Sequence, residues 1–163
     1  MQIMRSTALL ILLILTLSLS GAERWAYVSG YTTSSTTTAS LSITLASTDT
    51  RAAYGLAATV NCPDAACTVT FKRGGAISGG SDIAENQPTG TRNGVTLPIA
   101  QADAKSGVTV TGGTSLPCGQ PVSTGTTPFE LEDVAIVAGE SLSMEVTTGT
   151  SQNITSIIKW EEI

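Results

Sequence analysis

The sequence predicts an all-β protein, an antiparallel β-sandwich of jelly-roll type, preceded by an N-terminal hydrophobic signal helix. Short segments in which apolar and polar residues alternate recur along the chain, separated by clusters of Gly, Pro, Ser and Asn, and this pattern is typical of strands in a sandwich. Threonine occurs 26 times, and β-branched side chains favour a pleated sheet. An apolar run near the N-terminus predicts the signal helix.

Residues 1–22 are predicted to be a signal peptide. Arg5 precedes the apolar run Ala8–Leu19, whose 12 residues fall short of the ~20 needed for a membrane-spanning helix. Ser20 and Ala22 are the small residues at positions −3 and −1 of a cleavage site. We therefore expect an exported chain; a retained membrane anchor is the alternative. Loss of this segment leaves seven basic and 13 acidic residues, a net charge of −6.

Residues 23–40 are predicted to form an N-terminal strand followed by a Ser/Thr-rich linker, with the β-sandwich domain spanning 41–163. Trp25, Tyr27 and Tyr31 alternate along the first strand. They are candidate ligand or partner contacts, for example a strip on which sugars stack, whereas alternating aromatic residues more often pack in a core.

The sandwich domain contains repeated strand patterns. The last two, SLSMEVTT (141–148) and NITSIIKW (153–160), flank the polar stretch TGTSQ and predict a β-hairpin over residues 141–162. Residues 77–92 and 112–128 are predicted to be long polar surface loops, where binding functions usually lie. The other strand patterns are RWAYVSGY, SLSITLA, AAYGLAATV, CTVTFKR, GVTLPI, GVTVTG and FELEDVAIV.

Cys62 and Cys67 are predicted to form a disulfide. Four residues separate them, which differs from the C-x-x-C spacing of redox and metal sites, and Pro63-Asp64 favours a turn. We therefore expect the pair to face each other across a short hairpin in an oxidising compartment. Pairing of either residue with Cys118, or free thiols, remains open.

The composition excludes several chemistries. The chain has no histidine, which excludes Ser-His-Asp and Cys-His catalysis and His-ligated metals, and no cofactor or metal is expected. Glu130, Glu132 and Asp133 are candidate general acids, bases or calcium ligands, but a solvated strand face or a sheet edge protected by charge is the favoured interpretation. Glu161 and Glu162 are expected only to solubilise the last strand.

Asn153 begins the motif Asn-Ile-Thr, an acceptor sequence for N-glycosylation that has meaning in a host that glycosylates.

Residues Cys67–Glu162 resemble a family of small β-sandwich proteins found on phage particles and in prophages. The resemblance depends on TVTFKRGGAISGGS, GVTVTGGTSL and the C-terminal VAIVAGESLSMEVTTGTSQNITSIIKWEE. It implies a module of the capsid-decoration or fibre type without catalytic residues. The signal peptide departs from that pattern and favours a cellular exported protein.

These observations lead us to expect a secreted, non-enzymatic structural or adhesive protein of a cell surface or extracellular assembly. The expected partners are other copies of the chain, other surface or particle proteins, or glycans. Nucleic acid is not expected, because Lys and Arg are few and scattered, and membrane contact is expected only through an uncleaved N-terminal segment. A virion surface protein and a carbohydrate-binding module are the alternatives.

Overall fold

The computed structural model describes residues 25–85 and 100–163, in which nine strands account for the regular structure. Within these two ranges, no helix is long and apolar enough to cross a membrane. The predicted signal peptide and the strand pattern at 94–99 lie outside the described residues. The strands are β1 (Trp25–Thr44), β2 (Ala53–Cys62), β3 (Cys67–Arg73), β4 (Ala76–Ile83), β5 (Asp103–Thr111), β6 (Thr114–Ser115), β7 (Gln120–Val122), β8 (Gly125–Ile136) and β9 (Ser141–Glu162).

All nine strands belong to one antiparallel sheet with the order β4-β5-β1-β9-β2-β8. β3 follows β2 along the same side of β9, and β6 and β7 pair with β3. The prediction of an all-β antiparallel fold is therefore confirmed. The described strands form a single sheet that curls into a half-barrel, rather than the two separate sheets of a jelly-roll sandwich.

The long strands bend along one line across the sheet, here called the fold line: residues 33–38 of β1, 147–154 of β9 and 62–67 between β2 and β3. The register between β1 and β9 shifts at this line, and Ser35 has a φ of 50°. Nine residues of straight strand would span about 30 Å, yet the Tyr31 hydroxyl contacts the backbone of Ser40. β1 therefore turns sharply back on itself.

The core lies between the two inner faces that this bend brings together. Phe71 of β3 packs against Phe129 of β8 at a ring-centroid distance of 5.2 Å. A Cβ added to Gly55 of β2 would lie 2.8 Å from Leu142 of β9, so the absence of a side chain permits this close approach. Strand segments on both sides of the fold line contribute the largest fully buried side chains. These are Trp160, Tyr27, Phe71, Leu41, Ile43, Leu45, Leu131, Ile136, Leu142, Met144, Ile154 and Ile158.

The predicted C-terminal hairpin is wrong. Residues 141–162 form the single strand β9, whose pairing with β1 runs from Ser141 opposite Thr44 to Glu162 opposite Trp25. The predicted faces are present, since Ile154, Ile158 and Trp160 are all buried. Alternation on both sides of a polar stretch fits a reversal and a bent strand equally well, so the pattern alone does not distinguish them.

The predicted hairpin between Cys62 and Cys67 is also wrong. β2 and β3 both run antiparallel to β9 and pair with successive parts of it, so they point in the same direction. The four residues between the cysteines make a kink at the fold line, because β9 supplies a continuous partner on both sides of it.

The Ser/Thr-rich stretch 31–40 is part of β1 and pairs with β9, so it is not a linker. Pairing of β1 with β5 starts only at Leu41, so along this stretch the strand pairs, within the described residues, on one side only. β1 thus crosses the expected domain boundary at residue 40. The two predicted loops are partly strands as well. All of β4 except Ala76 lies within 77–92, and β6, β7 and the start of β8 lie within 112–128. Their backbone groups find ladder partners despite the high Gly, Ser and Thr content.

Candidate functional site

The three aromatic residues predicted as a contact strip lie on the inner face of β1. Tyr27 is 2% exposed and stacks on Trp160 at a centroid distance of 5.7 Å. Trp25 and Tyr31 are half-buried and pack against the core. The fold thus uses these rings wholly or partly for core packing.

Tyr31 holds the bend in β1. Its hydroxyl donates to the carbonyl of Ser40 at 2.6 Å and accepts from the Ser40 N–H at 2.7 Å. The Ser40 side chain in turn donates to the carbonyl of Val108 in β5, at 2.6 Å. Burial raises the pKa of the Tyr31 hydroxyl, opposed by its hydrogen bonds with the backbone of Ser40 and Gly107. The tyrosine is therefore a latch across the fold line.

A crevice of about 300 Å³ opens beside this latch. β1 pairs with β5 only over Leu41–Thr44, whereas β5 continues beside β4 to Thr111, so the two strands diverge. Buried apolar side chains and exposed hydroxyl groups both line the crevice. The carboxylate of Glu145 also lines it and forms a salt bridge with Lys72. The lining residues are Tyr31, Thr33, Thr38, Ala39, Ser40, Gly107, Val108, Thr109, Glu145, Val146 and Thr147.

A disulfide joins Cys62 and Cys67 at the fold line, with a Cα–Cα distance of 6.5 Å. The buried side chain of Gln152 in β9 holds the loop between them. Its oxygen accepts from the N–H groups of Asp64 and Ala65 at 2.9 and 3.1 Å, and its amide donates to the Ala65 carbonyl at 2.9 Å. The sequence alone did not indicate Gln152, because its hydrogen-bond partners Asp64 and Ala65 lie 88 and 87 residues away in the chain.

Cys118, the third cysteine, is free and half-buried in this structure. Burial raises the pKa of its thiol, which lowers its thiolate fraction and hence its reactivity at neutral pH.

Glu162 is a buried anchor, and the expectation that it only solubilises the last strand is wrong. Its side chain is 0% exposed and accepts hydrogen bonds from the backbone N–H groups of Gln101 and Ala102, at 2.9 to 3.0 Å. Arg51 contacts the same carboxylate at 3.1 Å, and Trp160 donates to it at 3.3 Å. The alternation of β9 places Glu162 on the same inner face as Trp160, which its position in the sequence could have indicated.

Glu130 is exposed on β8, and the side chains of Glu132 and Asp133 lie outside the described parts of the structure. In residues 25–85 and 100–163, no three His, Cys, Asp or Glu side chains are grouped so as to hold a metal ion.

The outer face of the sheet carries an apolar group, here called the outer patch: Val28 of β1, Leu56 and Ala57 of β2, and Ile157 of β9. Lys159 of β9 lies directly opposite Val28 on one side and Ala57 on the other, so these three strands are adjacent and the exposed lysine lies within the patch. A register shift between Gly55 and Ala57 turns both Leu56 and Ala57 outward, and Leu56 is 37% exposed. Val28, Ala57 and Ile157 are half-buried.

The two strands at the ends of the sheet order, β8 and β4, are both interrupted. β8 carries exposed Pro128 and Glu130. β4 contains Gly79 and Gly80, with φ values of 67° and 83°, and Asp82, which pairs with Lys105 at 3.1 Å. Prolines, charges and kinks of this kind oppose the addition of another strand to a sheet edge.

No family model and no curated protein matches the chain. Among solved structures, the "Structure of infectious bursal disease virus Gt strain" matches with 12% sequence identity and a TM-score of 0.21. The match covers 88% of this chain and 41% of the viral chain, so this chain spans less than half the length of that viral protein.

Proposed function

We propose that the protein is an exported, non-enzymatic structural or adhesive module of a cell surface or extracellular assembly, and that it associates with further copies of itself through the outer patch. The single observation that carries this proposal is the exposure of Leu56 on an outer sheet face that also carries the half-buried Val28 and Ile157 around Lys159. Apolar side chains grouped on an outer face are typical of protein–protein contacts.

The disulfide supports the export part of the proposal. Disulfides form and persist mainly in oxidising compartments, and this one joins two fully or nearly fully buried cysteines at the fold line. Together with the predicted signal peptide, it favours a location outside the cytoplasm.

The interruptions in β8 and β4 favour a face over either of these two strands as the contact surface. Pro128 and Glu130 on β8 and the glycine kink in β4 oppose strand addition, although edge pairing is a common way to build exported filaments. Association through the outer patch needs no change in the sheet, because its residues already project from paired strands.

Sedimentation velocity of the mature chain, residues 23–163, over a range of concentrations tests the proposal. We expect a concentration-dependent oligomer that Leu56→Glu reduces at least tenfold in association constant, because the substitution places a charge in an apolar contact. Val137→Glu is the matched control, since Val137 is also an exposed large apolar residue, at 49%, but lies in the turn between β8 and β9. A monomer at every concentration, or equal weakening by both substitutions, would refute the outer patch as the contact.

A carbohydrate-binding module is the second candidate, and the crevice beside Tyr31 favours it. Its volume of about 300 Å³ is at the lower end of ligand pockets, and hydroxyls, a carboxylate and an apolar floor suit a small sugar. Titration of monosaccharides, followed by NMR shifts, tests this candidate. Thr109→Trp fills the crevice and should abolish binding, whereas Thr111→Trp, on the same strand outside the lining, should not.

The virion surface alternative depends on the sequence resemblance alone. Neighbouring genes that encode portal, capsid and tail proteins would support it, and a purely chromosomal neighbourhood would remove it.

A further inference from the structure

Asn153 lies at the fold line, where β9 is least tied to its neighbours. Its side chain is exposed, and β1 shifts register opposite it, between Thr33 and Thr36. On the other side, the pairing with β3 stops at Thr148 and the pairing with β2 starts at Thr155. Asn153 therefore projects from a bulged part of the strand.

The two ends of the Asn153 amide have different surroundings. The carbonyl oxygen Oδ1 accepts a hydrogen bond from the N–H of Ser35 at 3.2 Å. The amide nitrogen Nδ2 makes no hydrogen bond to any other residue in the described ranges. The hydrogen bond to Oδ1 thus orients the side-chain amide and leaves Nδ2 without a hydrogen-bond partner among the described residues.

The sequence Asn153-Ile154-Thr155 is an N-glycosylation motif, and no other Asn-x-Ser/Thr occurs in the 163 residues. N-glycosylation joins C1 of a sugar to Nδ2 of asparagine. The donor is an oligosaccharide on a lipid diphosphate: the C1–O bond to the diphosphate breaks, the lipid diphosphate leaves, and Nδ2 loses one proton. The bond from Ser35 uses Oδ1 only, so it survives this reaction.

The surroundings accept a bulky group. Ser34, Ser35, Thr150 and Ser151 are all exposed and small, so a sugar on Nδ2 would point into solvent without displacing a core side chain. Ile154, in contrast, is fully buried and paired with Thr33. A transferase can read the motif as an extended peptide only before β9 pairs with β1.

We infer that Asn153 is the acceptor of a single N-linked glycan, attached during export and carried on the outside of the fold line. The inference rests on the export part of the proposed function. The glycan would cover the polar ridge at the fold line.

The test is secretion of the full chain from cells with an N-glycosylating secretory pathway, followed by intact-mass measurement before and after peptide N-glycosidase. We expect a chain cleaved after residue 22 that carries one glycan, which the enzyme removes. Asn153→Gln and Thr155→Val should both lose the glycan, whereas Thr155→Ser keeps the hydroxyl of the motif and should retain it. This pair separates motif recognition from a change in folding at position 155.

Two negative outcomes are distinguishable. A secreted, cleaved chain without a glycan would overturn this inference and leave export intact. A chain that keeps residues 1–22 and stays in the cell without a glycan would overturn export and the inference together.

Discussion

The indole N–H of Trp160 donates a hydrogen bond to the carboxylate of Glu162, two residues further along the same face of β9, with 3.3 Å between Nε1 and Oε1. Both side chains are 0% exposed. The same carboxylate accepts hydrogen bonds from the backbone N–H groups of Gln101 and Ala102. It therefore links the segment before β5 to the end of β9.

We expect Glu162→Gln to lower the free energy of unfolding by about 3 kcal/mol, because the amide turns one acceptor into a donor that faces buried donors. Urea denaturation followed by tryptophan fluorescence measures the change as a lower midpoint with an unchanged slope. Glu130→Gln, on exposed strand β8, is the control and should change stability by less than about 0.5 kcal/mol. Equal effects of the two substitutions would mean that Glu162 is not an anchor.

The Tyr31 latch makes a second prediction. Tyr31→Phe removes the hydroxyl that both accepts from and donates to Ser40, and should cost about 1–3 kcal/mol, because two backbone groups lose their partner. Tyr54→Phe is the matched control, since the Tyr54 hydroxyl makes no hydrogen bond within the described residues. Hydrogen exchange should show the loss as faster exchange at residues 31–40; unchanged exchange there would contradict the latch.

The disulfide and Gln152 should act as one unit. Removal of the Cys62–Cys67 bond by a double Cys→Ala substitution should cost about 2 kcal/mol by the loop-entropy estimate. Gln152→Ala should cost about 2 kcal/mol through the orphaned N–H groups of Asp64 and Ala65. Since Gln152 binds a loop that the disulfide shapes, the two costs should not add, and a double-mutant cycle measures the coupling. Additivity within about 0.3 kcal/mol would show that the two fasten the fold line independently.

The sequence alone was enough to predict the long strands and their inner faces, because alternation is a local property that each strand carries in its own residues, but it assigned most of β4 to a loop. Leu142, Met144 and Val146 are buried as the alternation predicts. The sequence alone was not enough to predict the path of the chain. Whether TGTSQ reverses β9 or bends it depends on pairing with β1, more than 100 residues away, and nothing in the stretch itself contains that information.

The same limit applies to the candidate sites. The pair Cys62–Cys67 could be proposed from short spacing, whereas the partners of Gln152 and Glu162 are distant backbone N–H groups, which no side-chain motif marks. The aromatic residues of β1 were ambiguous for another reason. An alternating strip has the same pattern whether it faces a ligand or a core, and the stacking of Trp160 on Tyr27 shows that Tyr27 faces the core.

Glu140 gives a pH-dependent prediction. Its carboxylate accepts hydrogen bonds from Arg73 at 2.9 Å and from the N–H of Val137 at 3.1 Å, and these bonds hold its pKa below the ordinary glutamate value. A carboxyl whose pKa is lower in the folded than in the unfolded chain stabilises the fold above its unfolded pKa, and this contribution disappears as the pH falls through the folded value.

Wild type should therefore be more stable than Glu140→Gln at pH 7, by up to about 1 kcal/mol, because the pair with Arg73 is partly exposed. This stability difference should shrink as the pH falls below about 4.5. It should vanish once Glu140 is protonated in both the folded and the unfolded wild-type chain. Thermal unfolding of both proteins from pH 7 to pH 3 measures it. Arg73→Lys keeps the positive charge but loses the forked geometry, so it should retain only part of the pH dependence. If the stability difference between wild type and Glu140→Gln stays constant over the whole pH range, the charge of the Glu140 carboxylate does not contribute to stability.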